Sequence, residues 1–140
     1  MRALIDTNVV LDVLLAREPH LADSQQVLSL VRHGRIEGAL CATSITTIEY
    51  LVNRARGAAV AERAVRSLLD AFEVAPVDGE VLRRALDLGF GDYEYAVLYA
   101  AAVAIGADAI VTRDRTGFTR ATLPVMSPGE AVAAVLGTGA

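Results

Sequence analysis

Gly106-Ala107-Asp108-Ala109-Ile110-Val111-Thr112-Arg113-Asp114 is the stretch on which the fold turns. Its apolar run, Ala109 to Thr112, is too short for a helix and reads as a strand covered on both faces. The preceding segment, Asp92 to Ile105, has helical length and is apolar all round at Ala96, Val97, Leu98, Ala100 to Ala102, Val103, Ala104 and Ile105. A helix of that kind is buried centrally or shares a subunit interface. Short apolar runs recur at Ala3 to Ile5, Gly38 to Ala42, Phe72 to Ala75 and Pro124 to Met126. Between them lie helical stretches near Val9 to Ala16, His20 to Arg32, Ile45 to Ala55, Ala58 to Ala71, Gly79 to Gly89 and Pro128 to Leu136. The alternation predicts an α/β protein, a three-layer α/β/α sandwich with a parallel sheet of about five strands. No repeat, low-complexity tract or linker divides the chain, so residues 1–140 are expected to form one domain.

Composition narrows the classes. With 54% apolar residues in 140, the chain has enough apolar content to offset its ordering entropy, which excludes intrinsic disorder. The longest uncharged stretch, Tyr95 to Ala107, contains Gly106 and is shorter than the roughly 20 residues of a membrane span. Asp6 interrupts the apolar run at the amino terminus before a signal h-region could form, and the expected location is cytoplasmic. Cys41 stands alone, which excludes an internal disulfide or a cysteine metal cluster and suits a small buried strand residue. All 13 basic residues are Arg, so chemistry within this chain that needs a Lys, such as a Walker phosphate cradle or a Schiff base, is absent. Against 17 acids the net charge is −4, which argues against indiscriminate nucleic-acid binding but leaves room for a local Arg patch or a metal to recruit phosphate.

Open parallel sheets place ligand groups just beyond the carboxyl ends of their strands. Asp6 follows Ala3-Leu4-Ile5, and Asp114 follows Ala109-Ile110-Val111 by three residues. Glu49, in Thr46-Thr47-Ile48-Glu49, sits in a helical stretch soon after the second strand, and Asp92 and Glu94 open the apolar helix. Asp92 also suits an N-cap, its side-chain oxygen accepting a backbone N–H. Carboxylates converging at one sheet end repel one another unless a cation lies between them. Oxygen ligands without nearby His or Cys suit Mg²⁺ or Mn²⁺, and the implied chemistry is metal-assisted phosphodiester hydrolysis.

Four pieces in this order, Leu4-Ile5-Asp6-Thr7-Asn8, Thr46-Thr47-Ile48-Glu49, Gly91-Asp92-Tyr93-Glu94-Tyr95-Ala96 and Gly106 to Asp114, carry a resemblance that covers nearly the whole chain. The chain resembles the PIN-domain ribonucleases, especially the single-domain toxin-like members of the VapC kind. By that resemblance Asp6, Glu49 and Asp114 match acidic metal-site positions, while Asn8 and Thr112 match polar positions that hold the site loops. The resemblance also implies an RNA substrate, a homodimer, and a small antitoxin that covers the acidic site.

Residue 95 departs from the pattern. Members with this motif usually carry Asp-Phe-Glu-Asp-Ala, and here Tyr95 stands where the second Asp, a regular site acid, is expected. Asp92 lies three residues earlier, about 60° around a helix and on nearly the same face, so it is the neighbour placed to substitute; Glu94, about 100° away, is less well placed. A phenol with pKa near 10 is neutral at pH 7 and a weak ligand for Mg²⁺. The leading expectation is a divalent-metal-dependent endoribonuclease with Asp6, Glu49, Asp92 and Asp114 as catalytic residues, Asp6, Asp92 and Asp114 holding the ion. The alternative keeps the fold and drops the chemistry: a protein that binds RNA or an antitoxin without cutting. An aspartyl-phosphate phosphotransferase fares worst, because Asn8 stands where a second Asp is needed and Lys is absent.

Arg113, Arg115 and Arg120 follow the last site acid closely and are expected to touch a phosphate backbone, with Arg113 and Arg115 as the substrate-binding pair. Arg54, Arg56, Arg63 and Arg66 read as solvated helix faces, and His20 and His33 as helix-terminus or surface residues. Tyr93, Tyr95 and Tyr99 share one helix and read as packing groups.

Overall fold

A computed structural model describes residues 1–118 and 121–137. Its strands are β1 (Arg2–Ile5), β2 (Glu37–Cys41), β3 (Glu73–Ala75), β4 (Ala109–Val111) and β5 (Val125–Met126). They form one sheet in the order β3-β2-β1-β4-β5 with every pairing parallel, as the alternating pattern predicts. The helices among the described residues are α1 (Thr7–Leu14), α2 (Leu21–Arg32), α3 (Ala42–Arg56), α4 (Ala58–Ala71), α5 (Gly79–Asp87), α6 (Tyr93–Ala104) and α7 (Pro128–Leu136), with a 3₁₀ turn at Arg115–Phe118.

Successive strand residues point to opposite faces of a sheet, and the two cores divide accordingly. Ala3, Ile5, Leu40 and Val111 pack with α1, α2, α3, α4 and α7. Leu4, Ala39, Cys41 and Ile110 pack with α5 and α6 on the other face. The result is the expected three layers. Cys41 is fully buried at the end of β2. Central burial accounts for Ala96 to Ala102 of α6, which lie between the sheet and α5, whereas Val103 beyond them is 44% exposed.

Two helix starts fall earlier than periodicity suggests. Helix α1 begins at Thr7 and α3 at Ala42, each directly after a capping residue in extended conformation, Asp6 and Cys41. Chain therefore passes from strand to helix without a loop at the carboxyl ends of β1 and β2. The Thr7 hydroxyl donates to Ser44 Oγ at 2.7 Å, tying those two helix starts together. At the far end of α3, Gly57 adopts φ +94°, a region that favours glycine, and turns the chain directly into α4.

Candidate carboxylate site

Strands β1 and β4 are neighbours, so the acids that follow them arrive side by side. Asp6 donates its backbone N–H to the Val111 carbonyl at 2.9 Å and so extends the ladder by one step. Its side chain, 2% exposed, makes no cap hydrogen bond and instead accepts from Thr112 Oγ1 at 2.7 Å. That same Thr112 oxygen accepts the Asp114 N–H at 3.0 Å. Thr112 thus bonds both acidic residues, the side chain of Asp6 and the backbone of Asp114. Burial pushes the Asp6 carboxyl above the usual carboxylate range, against the lowering effect of the Thr112 hydrogen bond.

Asp114 has the opposite environment. Its Oδ1 accepts from Thr116 Oγ1 at 2.6 Å and its Oδ2 from the Tyr95 hydroxyl at 2.8 Å. Those two donors hold its carboxyl below the usual range, Thr116 contributing most. For Tyr95 the shift runs upward: burial first, then the hydrogen bond to Asp114 and the charges of Asp6, Asp114 and Asp92, keep the phenol protonated well beyond its ordinary range.

The tyrosine has a fitted seat. Its ring centroid lies 4.8 Å from that of Phe118, and a Cβ at Gly117 would meet its Cε2 at 2.4 Å and Cδ2 at 2.5 Å. Any side chain at residue 117 would therefore contest the space of the Tyr95 ring. Asp92 caps α6, its Oδ1 accepting the Glu94 N–H at 2.8 Å. Tyr95 and Asp92 line two adjoining cavities. One, of about 280 Å³, is completed by Phe90, Gly91, Asp114, Thr116 and Gly117. The other, of about 150 Å³, contains Asp6, Asn8, Thr47 and Glu94. Asp6 and Asp114, close in the sheet, thus border different cavities.

Glu49 lies elsewhere: its carboxylate accepts from Asn53 Nδ2 at 3.2 Å along α3, and it borders neither cavity. Thr47 sets the cleft face of α3, and a residue two positions on points about 160° away from it. Glu94, the less favoured acid in sequence, occupies the cleft instead. An ion of the Mg²⁺ or Mn²⁺ type needs several oxygens converging at about 2.0–2.1 Å. Among the described residues no three Asp, Glu, His or Cys side chains are grouped to hold one. Asp114 directs one oxygen to Tyr95 and the other to Thr116, and the acids as placed do not form a three-carboxylate ion centre.

The arginines after β4 are engaged. Arg113 Nε and Nη2 donate to both oxygens of Asp12, at 2.9 and 3.2 Å, and Asp12 is fully buried with a further bond from Ser24. Arg115 pairs with Glu130. Arg120 lies outside the described residues. The Asp12 pairing was not foreseen from sequence, although an acid between Leu11 and Val13 in an apolar helix is its visible signal. His20 and His33 flank α2 at its two ends, as expected. Of the other α6 tyrosines, Tyr99 is buried, whereas Tyr93 is exposed and donates to the Leu82 carbonyl at 2.9 Å.

A parallel α/β sandwich with acids at the carboxyl ends of its two central strands defines a class of protein before any comparison is made. The sequence model of the PIN domain matches residues 2–116, and the chain belongs to that family. It is a family of nucleases that generally use divalent metals. No curated protein sequence matches the chain. Among solved structures it is similar to FitAcB from Neisseria gonorrhoeae, at 22% identity over 90% of this chain and 97% of that one, with a TM-score of 0.71. It is similar also to VapBC2 from Rickettsia felis bound to a promoter DNA fragment, at 14% identity over 91% and 98%, with a TM-score of 0.69. A third is Mycobacterium tuberculosis VapC20, described as a Sarcin-Ricin loop cleaving toxin, at 13% identity over 81% and 90%, with a TM-score of 0.66. These likenesses establish the PIN-like fold. Among the described residues no helix is long and apolar enough to cross a membrane.

Proposed function

We propose that this chain is the toxin-type member of a toxin–antitoxin pair whose acidic site holds an RNA strand without cutting it as the sequence stands. The observation that carries this reading is the seat of Tyr95. Its hydroxyl is bonded to Asp114 and its ring fills the space above Gly117. A phenol kept protonated at neutral pH gives the site a hydrogen-bond donor where a further negative charge would repel the others. An antitoxin partner is supported by neighbours of the same fold that were solved as toxin–antitoxin complexes. A homodimer, RNA as the bound polymer and a cytoplasmic location belong to this reading as well.

The test is cleavage and binding of a mixed RNA pool with Mn²⁺ or Mg²⁺, using the native chain, Tyr95→Asp, and Tyr95→Asp combined with Asp6→Asn. The native chain is expected to retain RNA without turnover, Tyr95→Asp to cut, and the double variant to lose cutting. Chelator-sensitive cleavage by the native chain would overturn the non-cutting reading.

That result would establish the second reading, a divalent-metal-dependent endoribonuclease in which Asp6, Glu49, Asp92 and Asp114 are catalytic and Asp6, Asp92 and Asp114 meet Mg²⁺ or Mn²⁺. One observation favours it: Asp6, Asp92 and Glu94 border one cleft.

A further inference from the structure

An RNA strand beside Asp6, Asp92, Glu94 and Asp114 meets a field of its own sign, so a cation must hold its backbone there. The two arginines that sequence places for this task are bound to Asp12 and Glu130. Arg54 is differently placed. Thr47 and Leu51 of α3 line the cleft with Asp6, and Arg54, seven residues after Thr47, points within about 20° of the same direction. Its guanidinium lies 5.7 Å from the ring centroid of Tyr50, with Nη1 at 3.5 Å from the hydroxyl. Tyr50 is 56% exposed, and among the described residues no Asp or Glu forms an ion pair with Arg54. An unpaired cation stacked on an exposed aromatic ring offers a charge for a phosphate and a face for a base, the two contacts that single-stranded nucleic acid uses.

We infer that Tyr50 and Arg54 form a ledge that seats one nucleotide of the RNA strand at the mouth of the Asp6 cleft, Arg54 on the phosphate and Tyr50 against the base. This rests on the RNA reading above. Neither residue belongs to the acidic motifs, and both side chains are exposed, so their substitution leaves the core intact.

The experiment is fluorescence anisotropy of a short labelled single-stranded RNA with the full chain in EDTA, across a salt series, so that cutting plays no part. Arg54→Ala is expected to weaken binding about fivefold or more and to flatten the slope of log K against log salt by about 0.7 to 1. Tyr50→Ala is expected to weaken it about fivefold or more with the slope unchanged, and Tyr50→Phe to bind as the native chain does. Arg66→Ala, whose guanidinium is paired with Glu62, serves as the control that changes little. Native-level binding by both Arg54→Ala and Tyr50→Ala would overturn the ledge alone, whereas no binding by the native chain would overturn the RNA reading and the ledge with it. Equal loss of affinity for a polyglutamate peptide would make this a general anion contact for an acidic partner and overturn the nucleotide assignment.

Discussion

Gly117→Ala bears directly on the seat of Tyr95. The added methyl would lie 2.4 Å from Tyr95 Cε2, so the ring must leave its place on Phe118. The backbone of Gly117 is not in the left-handed region, so alanine is itself tolerated there. Overpacking of this kind costs about 1–3 kcal/mol. Displacement of the ring also removes a hydroxyl from a charged carboxylate, a bond worth about 1.5–3 kcal/mol when sheltered and less here, where water can take its place. A net loss of about 2–3 kcal/mol follows, or roughly 6–9 °C in Tm for a domain of this size. In a Tyr95→Ala background the clash is gone, and Gly117→Ala is expected to be neutral or to stabilise by about 0.4–1 kcal/mol through the unfolded state. Urea unfolding of the four proteins of this cycle measures the coupling, expected at about 2–4 kcal/mol. An equal effect of Gly117→Ala in both backgrounds would refute the interlock and the account of Tyr95 built on it.

Removal of the phenol should restore room for an ion, so thermal unfolding with and without Mn²⁺ is expected to show a metal-dependent rise in Tm for Tyr95→Asp and none for the native chain; a hundredfold excess over Kd adds about 2.7 kcal/mol. Asp6→Asn keeps an acceptor for Thr112 and removes a charge that burial disfavours. Because the folded pKa of Asp6 is raised, its ionisation costs stability as pH rises through that value. Asp6→Asn should therefore melt higher than the native chain at pH 7, and the gap should close as pH falls below the unfolded carboxyl pKa near 3.9. Arg113→Ala strands the buried Asp12 carboxylate and is expected to destabilise by about 3 kcal/mol, at the lower end for a broken buried pair because the Arg113 side chain is 29% exposed. Adding Asp12→Leu should recover most of that loss in chemical denaturation, which a purely local effect of Arg113 would not allow.

What could be read from sequence and what could not divides along chain separation. Buried strands announce themselves locally, because three or four apolar residues between helical periods leave few other readings, and Ala109-Ile110-Val111 lies where that pattern puts it. Asp6 and Thr112 follow their strands directly and Asp114 comes two residues after Thr112, so the pairing of β1 with β4 brings them together. Glu49 fails to join them for a rotational reason. The cleft face of α3 is fixed by Thr7 against Ser44 and by Thr47, contacts that sequence spacing does not show, and Glu49 falls on the far side. Arg113 likewise looks free in sequence, and its partner Asp12 stands 101 residues away.

Tyr95 makes the same point about substitutions. As a letter it is a lost carboxylate; in the fold it is a donor to Asp114, a neighbour of Phe118 and the occupant of space left by Gly117. Asp6 already carries a raised pKa to which the charge of Asp114 contributes, so a further carboxylate at residue 95 would add repulsion that a cation would have to offset. A neutral donor reduces that repulsion from within the chain. The same hydroxyl that reduces the repulsion also bonds Asp114, so the charge balance and the hydrogen bonding of the acidic site are both set at residue 95.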